Sequence, residues 1–176
     1  TGFEWQVASH MIHEGMLKEG LSVARAIHDR YDASLRNPYN EIECSDHYAR
    51  AMASYGAFIS ICGFEYHGPK GYIAFAPRLT PENFKAPFIA AEGWGTFSQK
   101  RDADTQTEHL KLHWGKLTLK QMAFVIPEGK TAATVKVTVN GTSVKSSHSV
   151  TATKLVVTLA EPAVVETGQE VTIKIQ

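Results

Sequence analysis

Between Ala49 and Cys62 the chain reads ARAMASYGAFISIC, and Arg50 is the only formal charge in that run. A helix that is apolar on nearly every side belongs inside a protein. The pattern therefore predicts a buried helix with its one guanidinium turned inward. A buried guanidinium needs a carboxylate or a polar ligand, because leaving it unpaired is very costly. The loop that leads in, Asn37-Pro38-Tyr39-Asn40-Glu41-Ile42-Glu43, offers two acids. Pro38 pushes its predecessor out of the α region. Ser45 is suited to cap the helix, and Asp46 suits the positive end of the helix dipole. Two acids and an arginine at the mouth of a buried helix are apt for gripping a molecule with many hydroxyls. An internal Glu–Arg staple would meet the same electrostatic demand, and spacing alone does not choose between them.

Two more helices are predicted upstream. Residues 3–14 carry Phe3, Val7, Ala8, Met11 and Ile12 at helical spacing. Residues 16–31 place Met16, Leu17, Leu21, Val23, Ala24 and Ile27 on one side, with Gly15 and Gly20 weakening the signal near the join. Helix, short connection, helix, long loop and a buried helix is the pattern expected at the end of an α-helical toroid. A free-standing three-helix bundle is the plainer alternative, and it leaves the third helix without a polar face for water.

After Gly63 the pattern changes. Pro69, Pro77, Pro81 and Pro87 exclude long helices, and short β-type runs appear at 71–75, 88–91, 94–99, 109–114 and 116–125. Gly115 is expected as a turn between the last two. From Gly129 to Gln176 there is no aromatic residue, and Val and Ile alternate with Thr and Lys. Period two with one wet face means antiparallel strands, and Asn140-Gly141 is a strong hairpin signal. The expected class is α+β, helices followed by an all-β, sandwich-like region. The expected divisions are 1–64, 65–128 and a small lobe at 129–176.

The balance of 18 basic and 18 acidic residues gives no net pull toward nucleic acid or an anionic membrane. No apolar run is long enough to span a bilayer as a helix. Thr1-Gly2-Phe3 reads as the lip of a helix, which points to a piece of a longer chain. Cys44 and Cys62 form no recognisable disulfide or zinc pattern, so the compartment stays open.

Few residues announce chemistry. His13-Glu14 lacks the second histidine of a zinc-protease helix, since Leu17 occupies that place. His10, His109 and His113 lack a further ligand at metal spacing. No nucleophile elbow, phosphate loop or dinucleotide fingerprint is present, and no cofactor is expected. Trp94, in Gly93-Trp94-Gly95, is either a core anchor or a platform on which a sugar stacks. Glu41 and Glu43 are poorly placed as a glycosidase pair. Retaining enzymes hold their two carboxyls about 5 Å apart across the bond, normally from separate elements.

The runs GFEWQVASHMIHEGMLKEGL, AIHDRYD and RNPYNEIECSDHYARAMASYG, in that order, resemble the closing helices of the catalytic domain in glycoside hydrolase family 116. That family includes the non-lysosomal glucosylceramidases and bacterial β-glucosidases. The resemblance covers roughly residues 1 to 64 and is strongest from Asn37 to Ser54. It implies the last helices of an (α/α)6 barrel in a retaining exo-β-glycosidase. Glu41 and Arg50 match a glutamate and an arginine that bind outer hydroxyls of the sugar in the −1 subsite. The family's nucleophile and acid/base have no counterpart here, which implies catalytic acids upstream of this chain and an inactive piece on its own. Glu43, Cys44 and His47 match no family ligand. The partners implied are a β-glucoside or related glycoside and the N-terminal part of the same protein. The rival expectation is a non-catalytic carbohydrate-binding or adhesive β-sandwich with a helical collar.

Overall fold

The computed structural model describes residues 1–35 and 51–176. It is α+β. Among the described residues, three helices precede ten strands. The chain divides into two compact units, Thr1–Gly63 and Phe64–Gln176.

In the first unit, α1 (Gly2–His13) and α2 (Leu17–His28) form a hairpin, and α3 is described over Ala51–Cys62. Helix α1 packs against both of the others. The crossings are close because small residues occupy them. A Cβ added at Gly20 would lie 2.6 Å from Ile12 Cγ1 and 2.8 Å from the Ala8 carbonyl oxygen. Glycine thus costs α2 some propensity but permits the approach. Between α1 and α3, the Ser9 and Ser60 hydroxyls meet at 3.1 Å. At the outer end, Arg30 pairs with Glu4, and Thr1 Oγ1 lies 3.0 Å from the Tyr31 hydroxyl.

The expected apolar stripes are only partly buried. Ala8, Ile12, Ile27, Ala57 and Cys62 are inside, but Phe3 is 76% exposed and Val7 is also exposed. On α3, Met52 is 75% exposed and Tyr55 is exposed too. This corrects the expectation that an all-round apolar helix is wholly covered. Composition states what a side chain would gain by burial, and burial also requires a surface to meet it.

The second unit is built on one long strand. The strands are β1 (Glu65–His67), β2 (Tyr72–Phe75), β3 (Asn83–Ala90), β4 (Gly93–Arg101) and β5 (Gln106–Val125). They continue as β6 (Val135–Val139), β7 (Thr142–Val144), β8 (Ser146–Thr151), β9 (Lys154–Glu166) and β10 (Glu170–Ile175). The first half of β5 pairs antiparallel with β4 and β10, and its second half pairs antiparallel with β9 and parallel with β2. The expected turn at Gly115 is therefore the point where one strand leaves one sheet and enters another. Its φ is +83°, and a side chain there would run into the Glu92 carbonyl oxygen. Glycine gave a turn signal because a sheet-to-sheet bend and a chain reversal ask for the same backbone freedom.

The rest follows from alternation. Strand β3 buries Phe84, Ala86 and Phe88 while Lys85, Pro87 and Ile89 stay exposed. Pro87 is tolerated because β3 is an edge strand, paired only with β4. The Asn140-Gly141 hairpin joins β6 to β7, with both central residues at positive φ, as a two-residue primed turn requires. Residues 129–176, expected as a lobe of their own, place β9 and β10 directly against β5. Between the two sheet faces lies an aromatic core. Phe75 of β2 stacks on Phe97 of β4 with centroids 3.9 Å apart, and Phe88, Phe84 and Phe124 extend the cluster. This is the sandwich arrangement the alternation predicted.

Candidate functional site

Glu41 and Arg50, the two residues singled out for sugar binding, lie outside the described residues, as do Glu43, Cys44 and His47. The other sequence candidates can be placed. His10 lies 3.7 Å from Glu14 on an exposed helix face. His109 faces Glu170 at 3.0 Å, while His113 Nε2 meets Thr96 Oγ1 at 2.7 Å. The two strand histidines thus take separate partners. No group of three metal-ligating side chains comes together among the described residues. Cys62 is buried, and that burial pushes its thiol up to about 11, so it is a poor nucleophile at neutral pH.

Trp94 is not a core anchor. It is 48% exposed and sits directly across the ladder from Trp114, itself exposed, with Ile89 on its other side. A register shift after Trp94 leaves His113 as an extra residue on β5, and its imidazole lies 5.2 Å from the Trp94 indole. The bulge places a histidine and two tryptophans at one corner of the β4–β5 ladder.

The cluster that sequence reasoning missed lies at the other end of the same ladder. Gln99 is the cross-strand partner of Glu108, and Arg101 that of Gln106. Gln99, Gln106 and Glu108 are buried, Glu108 completely. Arg101 Nε donates to Gln106 Oε1 at 2.8 Å, and its Nη2 donates to the Val125 carbonyl at 2.7 Å. Gln106 Nε2 donates to Glu108 Oε1 and, at 2.9 Å, to that same Val125 carbonyl. The start of β5 is thereby clasped to its own end, across the two sheets. Burial raises the Glu108 carboxyl to about 8, against the opposing pull of the Gln106 hydrogen bond and the Arg101 charge. Its Oε2 has no hydrogen-bond partner among the described residues.

The signal for this cluster was present. Glu108, Leu110 and Leu112 are two apart and share one face, so alternation carries the acid inward with the leucines. Extending the strand by three residues beyond its expected start at His109 would have exposed it.

Arg101 and Gln106 also line a cleft of about 420 Å³. Its walls are the 102–105 turn, Ile126, Pro127, Lys130 and Ile175. Lys130 Nζ donates to the Ala103 carbonyl at 3.2 Å, and Lys100 lies 3.4 Å from Asp102.

No protein-family model matches the chain, and no curated protein matches it. Solved structures do. An α-L-rhamnosidase from Dictyoglumus thermophilum overlaps 70% of this chain and 14% of its own, at 12% identity and a TM-score of 0.39. A structure described as a glycoside hydrolase overlaps 80% of this chain and 21% of its own, at 18% identity and a TM-score of 0.40. The chain spans less than a quarter of the length of either, and is similar in structure to small parts of these two glycoside hydrolases.

Proposed function

We propose that the chain is the C-terminal part of a retaining exo-β-glycosidase of the β-glucosidase kind. In this reading, residues 1–64 supply the last helices of an (α/α)6 barrel, and catalytic acids upstream of Thr1 break the bond. Glu41 and Arg50 hold outer hydroxyls of the glycone in the −1 subsite. What supports the reading is the ordered set of motifs from Gly2 to Gly56, together with an apolar run, Ala49–Cys62, whose one formal charge is Arg50. A guanidinium and a carboxylate can between them donate to and accept from vicinal hydroxyls. Binding energy at the non-reacting end of a sugar can be used to distort the ring toward its transition state.

The test is kinetic and uses the full-length protein. Arg50→Ala and Glu41→Ala are each expected to lower kcat/KM for an aryl β-glucoside by roughly 10- to 150-fold, the equivalent of one buried hydrogen bond to a charged partner. Residues 1–176 alone are expected to show no hydrolysis. Wild-type kinetics from both variants would remove the assignment.

The exposure of Trp94 and Trp114 favours a second reading, a non-catalytic carbohydrate-binding β-sandwich. Large exposed apolar groups side by side often mark interaction sites. There, Trp94→Ala would abolish retention on an immobilised glucan while Arg50→Ala would not.

A further inference from the structure

The clasp cluster and the cleft beside it are adjacent, and together they have the make-up of a ligand site. Ligand pockets are mostly apolar hollows of about 300–1,000 Å³ with a few convergent polar groups, and this cleft, at about 420 Å³, fits that description. Its apolar wall is Ile126, Pro127 and Ile175. The polar side is Arg101, Lys130, Asp102 and Asp104.

The charges decide the ligand class. Two cations and two anions line the same hollow, so an anionic guest would face the aspartates and a cationic guest the basic pair. A neutral guest with hydroxyls can accept from the guanidinium and ammonium and donate to the carboxylates. We propose that the cleft between the 102–105 turn and Ile126–Lys130 binds a neutral, hydroxyl-rich molecule of about monosaccharide size, its C–H face against Ile126 and Ile175.

Arg101 is prepared for this. Only 11% of its side chain is exposed, and Gln106 and Val125 hold it by two of its donors. Of the five N–H groups on a guanidinium, Nη1 lies 4.0 Å from Glu82, beyond hydrogen-bond length. A donor fixed before the ligand arrives spends little entropy on binding. The buried layer of Gln106 and Glu108 beneath it is what a rigid positioning floor requires. If sheet stability were its only role, apolar side chains of similar volume would often serve as well or better. The site lies wholly within the β-unit and does not depend on Glu41 or Arg50.

The experiment is an NMR titration of the isotope-labelled 176-residue chain with three probes: methyl β-D-glucopyranoside, D-glucuronate and D-glucosamine. The neutral glycoside is expected to shift amide resonances of 101–105 and 126–130 saturably, with a roughly millimolar Kd for so small a ligand. Asp104→Asn and Lys130→Ala, both at the rim and outside the clasp, are each expected to weaken it about fivefold. Their amide spectra away from the cleft should be unchanged. No saturable shift with the glycoside overturns the proposal. Binding of glucuronate or glucosamine as tight as that of the glycoside overturns the neutral class. Shifts confined to the Trp94–Trp114 corner transfer binding to the other end of the ladder and overturn it as well.

Discussion

The helical unit and the β-unit fill their interiors with different kinds of side chain. Among the described residues, the buried apolar side chains of the helical unit are Ala8, Ala57, Cys62, Ile12 and Ile27, with Gly20 at the closest approach. Between the sheet faces five phenylalanines sit among a larger set of Leu, Ile and Val, with Phe75, Phe97 and Phe124 among the largest fully buried groups. The reason is spacing. Helices pack at 8–10 Å between axes and come nearer where side chains are small, whereas stacked sheets stand about 10 Å apart and that gap must be filled. Small residues therefore stabilise one unit by what they omit, and large aliphatic and aromatic side chains stabilise the other by what they occupy.

The largest effect should come from emptying the β core. Phe97→Ala is expected to cost about 3–5 kcal/mol, read as a fall in the urea midpoint followed by Trp94 and Trp114 fluorescence. A cost under about 1 kcal/mol would mean that the ring stack is not the core.

The next effect concerns the clasp. The Glu108 carboxyl is raised in the folded state from its usual range to about 8. Between those values the folded chain keeps a proton that the unfolded chain releases. Its contribution is thus fully present below the unfolded pKa and is lost as pH rises through the folded one. Stability should fall between about pH 4.5 and pH 8 with a slope from this group of at most about 1.4 kcal/mol per pH unit. Glu108→Gln should flatten that slope, and an unchanged slope in the variant would assign the pH dependence elsewhere.

The smallest effect tests the helical side of the contrast. Gly20→Ala improves helix propensity by about 1 kcal/mol but puts a methyl 2.8 Å from the Ala8 carbonyl oxygen. Overpacking typically costs about 1–3 kcal/mol, so a net loss of about 1 kcal/mol is expected. Thermal melting followed by the helical signal in far-ultraviolet circular dichroism would report it. A stabilised variant would show that α1 and α2 can move apart freely, and the contrast between the units would weaken.

How much could be read from the chain differs in the same way. In the β-unit, period two located the faces of β10 and of the first part of β9, because each pleat sends neighbours to opposite sides, whereas β3, expected only at 88–91, begins at Asn83. Alternation does not reveal how far a strand continues. Gly115 looked like an end and is the bend of a 20-residue strand, and the buried acid at Glu108 lay beyond the expected start. In the helical unit, spacing located α1 and α2, but Phe3, Val7 and Met52 are exposed despite their place in apolar runs. The candidate sugar ligands Glu41 and Arg50 were legible as the acid and the lone charge of an apolar run and through the family resemblance, and they lie outside the described residues.

The amino-acid order by itself determined the class: helices where apolar residues recur every three or four positions, strands where they alternate, and a hairpin at Asn140-Gly141. Local backbone preference and the water-avoidance of single side chains are enough for that. Tertiary structure alone decided that β5 serves two sheets and that Arg101 and Gln106, beside Glu108, close on the Val125 carbonyl. It also decided that Trp94 faces outward. Each depends on what lies across the ladder or on the opposite face, and those partners are distant in the chain.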